Sequence, residues 1–155
     1  MNQNCLICQR IALIEAHKNP YFVSEMATGY VVIGDTQYFP GYTLFLAKEH
    51  VTELHLMPEK LKLQFLQEMS LVAEACSLAF HADKMNLELL GNGDAHVHWH
   101  LFPRHNGDTP KPGPIWWVDP AVMYADEAAP TTEALAEMKS NLQKALATVE
   151  AKYAK

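Results

Sequence analysis

Apolar and polar residues follow two different periods along this chain, and the two periods predict a mixture of strands and helices. Alternation with period two is typical of a β-strand, whereas spacings of three and four are typical of an amphipathic helix. Short apolar runs predict five strands, at residues 21–23, 30–33, 42–47, 86–90 and 96–102. Helical spacings predict three helices, at residues 5–18, 58–80 and 131–154.

These elements predict an α+β fold, because short strands surround one long helix. Hairpin turns between successive strands indicate a mainly antiparallel, five-stranded sheet. The long helix carries an apolar stripe: Leu61, Phe65, Met69, Val72, Cys76, Ala79 and Phe80. The C-terminal helix carries a second stripe: Leu135, Met138, Leu142, Leu146, Val149 and Tyr153. We expect the C-terminal helix to serve packing, since none of its residues suggests chemistry.

The strand at 96–102 carries the most informative pattern in the chain. Side chains of a strand alternate between its two faces, so His96, His98 and His100 are expected on one face. The residues between them are apolar: Val97, Trp99 and Leu101. On a helix the same histidines would be spread around the axis, so the strand is favoured. One face is therefore expected to pack into the core while the other presents three imidazoles.

Three aligned imidazoles have three interpretations. The first is chance alignment, because the chain contains eight histidines. Imidazole is a common ligand of zinc, copper, iron and nickel, so the histidines could form a catalytic metal site. A neutral imidazole also acts as a nucleophile, an acid or a base at pH 7 without any metal.

Composition narrows the classes of function. The 155 residues are the length of one domain, and an apolar content of 49% is enough for a core. The net charge of −6 comes with no basic stripe, so no nucleic-acid partner is expected. No apolar run approaches 18 residues, so no membrane association is expected. Three cysteines form no secreted disulfide framework, and the cytoplasm is the predicted location.

Two phrases resemble the histidine-triad (HIT) family of nucleotide hydrolases and transferases. His-Val-His-Trp-His-Leu-Phe at 96–102, followed by Pro103-Arg104, is similar to the family signature. Phe-Pro-Gly-Tyr-Thr-Leu-Phe-Leu-Ala-Lys-Glu-His at 39–50 is similar to an upstream family phrase. The resemblance spans about residues 5–108. Leu-Leu-Gly-Asn at 89–92, with Trp99, resembles a bacterial branch described as diadenosine-polyphosphate-hydrolase-like.

The resemblance implies an activity and an assembly. The expected reaction is cleavage at the α-phosphate of a purine nucleotide derivative, a dinucleoside polyphosphate or a nucleoside phosphoramidate, through a nucleotidyl-histidine. A homodimer is implied, and no cofactor is required for catalysis. We expect a catalytic domain at 1–118 and a C-terminal extension at 119–155 packed on the same domain. The alternative function is a nucleotide-binding or zinc-stabilised interaction protein with little turnover.

The resemblance also implies roles for individual residues. His98 corresponds to the nucleophile, with the backbone carbonyl of His96 holding its ring. His100 corresponds to the residue that contacts the phosphate. Asp35 resembles the acidic residue that binds the ribose, and Asn92 falls in the stretch that supplies phosphate donors. The sequence departs from the family pattern at Gly-Asn-Gly 91–93, where many members have Gly-Gln-Ser, and at Tyr42, where the family phrase has histidine.

A separate pattern suggests zinc. Cys5 and Cys8 have the spacing of two zinc ligands, and a tetrahedral structural site needs two more nitrogen or sulfur ligands. Some members of the resembling family complete such a site with residues that correspond to His50 and His96. The alternative is a pair of half-buried thiols near the start of a helix.

Overall fold

A five-stranded antiparallel sheet with strand order β1-β2-β3-β5-β4 forms the centre of the fold. The computed structural model describes residues 4–154. Residues 1–3 of the predicted catalytic domain and residue 155 of the predicted C-terminal extension lie outside the described residues. The strands are β1 (Phe22–Glu25), β2 (Gly29–Ile33), β3 (Thr43–Ala47), β4 (Lys84–Leu89) and β5 (His98–Arg104). The predicted α+β class and five-stranded sheet are confirmed.

Residues 4–154 contain four α-helices: α1 (Leu6–Glu15), α2 (Glu59–Phe80), α3 (Pro120–Met123) and α4 (Thr132–Tyr153). Short 3₁₀ turns lie at Leu54–Leu56, Ile115–Trp117 and Asp126–Ala128. Three of the helices correspond to the predicted ones, and α3 was not predicted. Within residues 4–154 every helix is too short or too polar to cross a lipid bilayer.

One face of the sheet packs on helices α2 and α4 to form the main core. Phe45 of β3 stacks on Phe65 of α2 with ring centroids 4.9 Å apart. Val97 and Leu101 enter the same core. Helix α4 contributes Leu142, Ala145, Leu146 and Val149. Of the apolar residues that alternate with the histidines, Val97 and Leu101 are thus buried on this face and Trp99 packs against it partly buried, as the pattern predicts.

Helix α1 covers part of the opposite face. Its buried residues are Ile7, Cys8, Ile11 and Ile14, and they pack against Tyr30, Val32 and Leu46 of the sheet. The helix ends at Glu15, three residues before the predicted end. Ala16 has left the helical conformation, and His17 adopts a left-handed φ of 56°, which ends the helix. This packing places α1 beside the histidine face.

The packing of α4 gives a stability prediction. Replacing Leu142 by alanine should lower the free energy of unfolding by about 2–5 kcal/mol, because this α4 side chain is completely buried in the main core. Urea denaturation measures the change. Leu63→Ala is the matched control, since Leu63 lies on α2 with 54% of its surface exposed. A Leu142→Ala protein as stable as the control would contradict the packing role of α4.

Candidate functional site

Two of the three aligned histidines line a groove on the α1 face of the sheet. The groove has a volume of about 230 Å³, and His98 and His100 of β5 lie within it. The surrounding residues come from α1, β2, β3 and the loops beside them: Leu6, Ile7, Arg10, Val32, Asp35, Thr36, Tyr42, Leu44, Leu46, Asp94 and Tyr124. Apolar side chains thus adjoin two imidazoles, two carboxylates and a guanidinium.

The third histidine stays on the same face but lies outside the strand. Strand β5 begins at His98, two residues after the predicted start. The N–H of Val97 donates to the carbonyl of Val51, and the carbonyl of Val97 accepts from the N–H of Ala47. These hydrogen bonds lie outside the regular pairing of the β-strands. His96 is only 1% exposed and lies beside the thiols of α1.

The backbone fixes the tautomer of His98. Its Nδ1 lies 2.5 Å from the carbonyl oxygen of His96. Because a carbonyl can only accept a hydrogen bond, Nδ1 carries a proton, and a ring with a single proton therefore has its lone pair on Nε2. The predicted contact between the His96 carbonyl and His98 is therefore present.

His100 is held neutral beside His98. The ring centroids of the two histidines are 4.7 Å apart. Burial, with a smaller contribution from His98, lowers the pKa of His100 to about 4, so the ring is uncharged at pH 7. The hydroxyl of Tyr42 lies 2.6 Å from Nδ1 of His100. Burial raises the pKa of Tyr42 well above its usual value, so the phenol keeps its proton.

Asp35 lies in the groove and is paired with a cation that the sequence analysis did not identify. Arg10 Nη1 donates to Asp35 Oδ1 at 2.6 Å, and Nη2 contacts the second carboxylate oxygen. The pairing raises the pKa of Arg10. Arg10 lies one turn after the buried Ile7 on α1. Its position beside the apolar face of the helix is the sequence feature from which it could have been identified.

Asn92 is not brought into the groove. Its side chain is exposed in the segment after β4, and the residue borders a separate cavity beside Thr52 and Glu53. Its predicted role in phosphate binding stays a prediction. Asp94 lines the groove instead. The sequence analysis did not identify Asp94, although its position two residues before His96 places it next to the histidine motif.

The four predicted metal ligands lie close together at the first turn of α1. The ligand atoms of Cys5, Cys8, His50 and His96 all lie within 4.8 Å of one another. Nδ1 of His96 is 3.5 Å from the Cys5 sulfur, 3.6 Å from the Cys8 sulfur and 3.3 Å from Nδ1 of His50. The Cys8 sulfur is 3.4 Å from Nδ1 of His50.

These separations fit a tetrahedral zinc site. Zn–S bonds of about 2.3 Å and Zn–N bonds of about 2.0 Å place neighbouring ligand atoms about 3.3–3.8 Å apart. The second nitrogen of His96, Nε2, lies 2.9 Å from the carbonyl of Ala47 and donates to it, so the Nδ1 lone pair faces the thiols. The cluster could bind zinc.

Residues 23–107 match the family model described as HIT domain. The chain belongs to the HIT domain family. Proteins of this family are mostly nucleotide hydrolases and transferases. The resemblance seen in the sequence is confirmed at the level of the family, while membership of the diadenosine-polyphosphate-hydrolase-like branch stays a prediction.

Solved structures of other HIT proteins share this fold. A histidine triad protein from Marinobacter aquaeolei is 28% identical with a TM-score of 0.69, covering 83% of this chain and 89% of its own. A hypothetical histidine triad nucleotide-binding protein from Sulfolobus tokodaii is 17% identical with a TM-score of 0.71, covering 94% and 96%. A zinc-bound histidine triad family protein from Mycobacterium smegmatis is 22% identical with a TM-score of 0.66, covering 96% and 97%. No curated protein matches this HIT chain.

Proposed function

We propose that this HIT protein cleaves a purine nucleotide derivative at its α-phosphate by forming a nucleotidyl intermediate on His98. The substrate is a dinucleoside polyphosphate or a nucleoside phosphoramidate. The observation that carries the proposal is the 2.5 Å contact between His98 Nδ1 and the His96 carbonyl. It leaves the Nε2 lone pair of a groove-lining histidine available for attack, which is the requirement for nucleophilic catalysis by imidazole.

The groove offers complementary groups for each part of a nucleotide. Its apolar residues suit a purine base: Leu6, Ile7, Val32, Leu44 and Leu46. The Asp35 carboxylate can accept hydrogen bonds from ribose hydroxyls, and Arg10 holds that carboxylate in place. The α-phosphate would then lie against His98 and His100.

The proposed reaction has two displacements at phosphorus. Nε2 of His98 donates its electron pair to the α-phosphorus, and the bond to the leaving oxygen or nitrogen breaks with its electrons passing to the leaving group. The His98 ring becomes positively charged, and the His96 carbonyl stabilises its Nδ1–H. A water molecule then attacks phosphorus and loses a proton, and the phosphorus–nitrogen bond breaks to restore the His98 lone pair. The leaving group takes up one proton, so the balance is substrate plus water giving mononucleotide plus the protonated leaving group.

His100 supports these steps without changing its protonation state. As a neutral imidazole it carries one N–H, which can donate to a phosphate oxygen while negative charge develops. His96 contributes its backbone carbonyl rather than its side chain, which faces the thiols. We therefore infer that the three histidines have three different roles.

We further propose that Cys5, Cys8, His50 and His96 hold a structural zinc ion. The donor set and its separations support this, as does the zinc-bound relative from Mycobacterium smegmatis. Zinc bound there would cross-link α1 to the segment after β3, which holds His50, and to the segment before β5, which holds His96. Catalysis would not require it. The homodimer, the division at residues 118/119, the absence of nucleic-acid partners and the cytoplasmic location stay predictions.

Turnover in ¹⁸O-labelled water tests the proposed function. Diadenosine polyphosphates and a fluorogenic adenosine phosphoramidate should both yield mononucleotide, with one labelled oxygen on the α-phosphate. Mass spectrometry of enzyme quenched during turnover should find one nucleotidyl group on the peptide that contains His98. Nucleotide binding without product or adduct would instead support the interaction protein, and loss of turnover with EDTA in a folded protein would support a metal hydrolase.

A further inference from the structure

Tyr42 is held in a fixed position against the third histidine of the motif. Its ring lies parallel to that of Phe102, with centroids 4.2 Å apart and an interplanar angle of 3°. Phe102 is itself buried and packs edge-on against Phe39. This stacking directs the Tyr42 hydroxyl to Nδ1 of His100, 2.6 Å away.

The direction of this hydrogen bond follows from the groups within reach of the hydroxyl. The phenol keeps its proton, and Tyr42 is half-buried at the wall of the groove, where an O–H removed from water without an acceptor costs about 1–3 kcal/mol. Among residues 4–154, His100 Nδ1 is the one hydrogen-bond partner of the Tyr42 hydroxyl. The hydroxyl therefore donates and Nδ1 accepts. Since the His100 ring is neutral, its single proton lies on Nε2.

We propose that Tyr42 is a positioning residue that holds His100 in the tautomer with its N–H on Nε2, facing the groove. Nε2 of His100 has no hydrogen-bond partner in the part of the chain that the structure describes, so it is available to a ligand. The inference rests on the proposed function, because the N–H matters only if a phosphate binds there.

Two neighbouring histidines thereby present opposite groups to one phosphate. A carbonyl at Nδ1 of His98 places a lone pair on its Nε2, whereas a hydroxyl at Nδ1 of His100 places a proton on its Nε2. The first ring attacks and the second donates a hydrogen bond. With the other tautomer, His100 would turn a lone pair toward the phosphate oxygens and repel them.

Tyr42→Phe tests this inference, because it removes the hydroxyl and keeps the stacked ring. In ¹⁵N-labelled wild-type protein without substrate, the two-bond proton–nitrogen spectrum should show His100 protonated on Nε2. In Tyr42→Phe, the Nδ1-protonated tautomer should appear. The kcat should fall by about 10- to 100-fold, with KM changed less than about threefold, since loss of this bond weakens a contact that strengthens in the transition state. Tyr38→Phe is the control and should change neither readout.

Two results would overturn the inference: Nδ1 protonation of His100 in the wild type, or an unchanged tautomer and kcat in Tyr42→Phe. The spectra require no turnover, so they test the role of Tyr42 even if the proposed function is wrong. Failure of the proposed function would appear separately, as a wild-type protein that turns over none of the nucleotide substrates while its His100 tautomer is as expected.

Discussion

Replacing His98 by asparagine should lower turnover by about 10⁴-fold or more while the protein stays folded. The substitution removes the nitrogen that would form the bond to phosphorus. An asparagine amide can still donate to the His96 carbonyl, and the core residues on either side, Val97 and Trp99, are unchanged. The loss should be in kcat, because the groove and its nucleotide contacts remain.

The measurement is steady-state hydrolysis of the adenosine phosphoramidate, with nucleotide binding followed separately by calorimetry. His98→Asn should bind mononucleotide with nearly wild-type affinity, melt at nearly the wild-type temperature and form no adduct on the motif peptide. His55→Asn is the matched control, since His55 is exposed on a 3₁₀ turn outside the groove. If His98→Asn kept turnover within about tenfold of wild type, the assignment of His98 as nucleophile would have to be abandoned.

Replacing Cys8 by alanine should remove zinc and lower the free energy of unfolding by about 3–5 kcal/mol. The Cys8 sulfur lies within reach of both His50 and His96, so its loss opens the proposed tetrahedral site. Structural zinc contributes about 10–16 kcal/mol to the folding free energy of small zinc-finger peptides. The smaller value expected here reflects a domain that has its own hydrophobic core.

Metal content by mass spectrometry and thermal unfolding measure the two effects. Wild-type protein should carry one zinc ion per chain, and chelator should lower its melting temperature toward that of Cys8→Ala. Cys76→Ala is the control: its side chain is completely buried in the main core and is not one of the four clustered ligands, so the variant should keep the zinc. Purified wild-type protein without zinc, and with Cys5 and Cys8 freely alkylated, would contradict the site.

The strands, the long helices and the face of the histidines were predictable because each depends on a local repeat. A strand side chain alternates with period two wherever the strand lies in the sheet, so Val97 and Leu101 were assigned to the core from their positions alone. The Cys5–Cys8 spacing likewise belongs to one helical turn. Family resemblance, rather than spacing, supplied His50 as a partner.

Side-chain pairing across the groove was decided by tertiary structure. Arg10 and Asp35 are 25 positions apart, and Tyr42 and His100 are 58 apart. These pairs meet because β5 pairs with β3 and helix α1 covers that face, an order of elements that no local period encodes. Asn92, which the resemblance places near the phosphate, is exposed after β4 and borders a separate cavity, and its role stays a prediction. The sequence alone determined that three imidazoles share a face. The packing of distant segments brought His96 to the thiols and the hydroxyl of Tyr42 to His100, whereas the carbonyl that holds His98 is only two residues away.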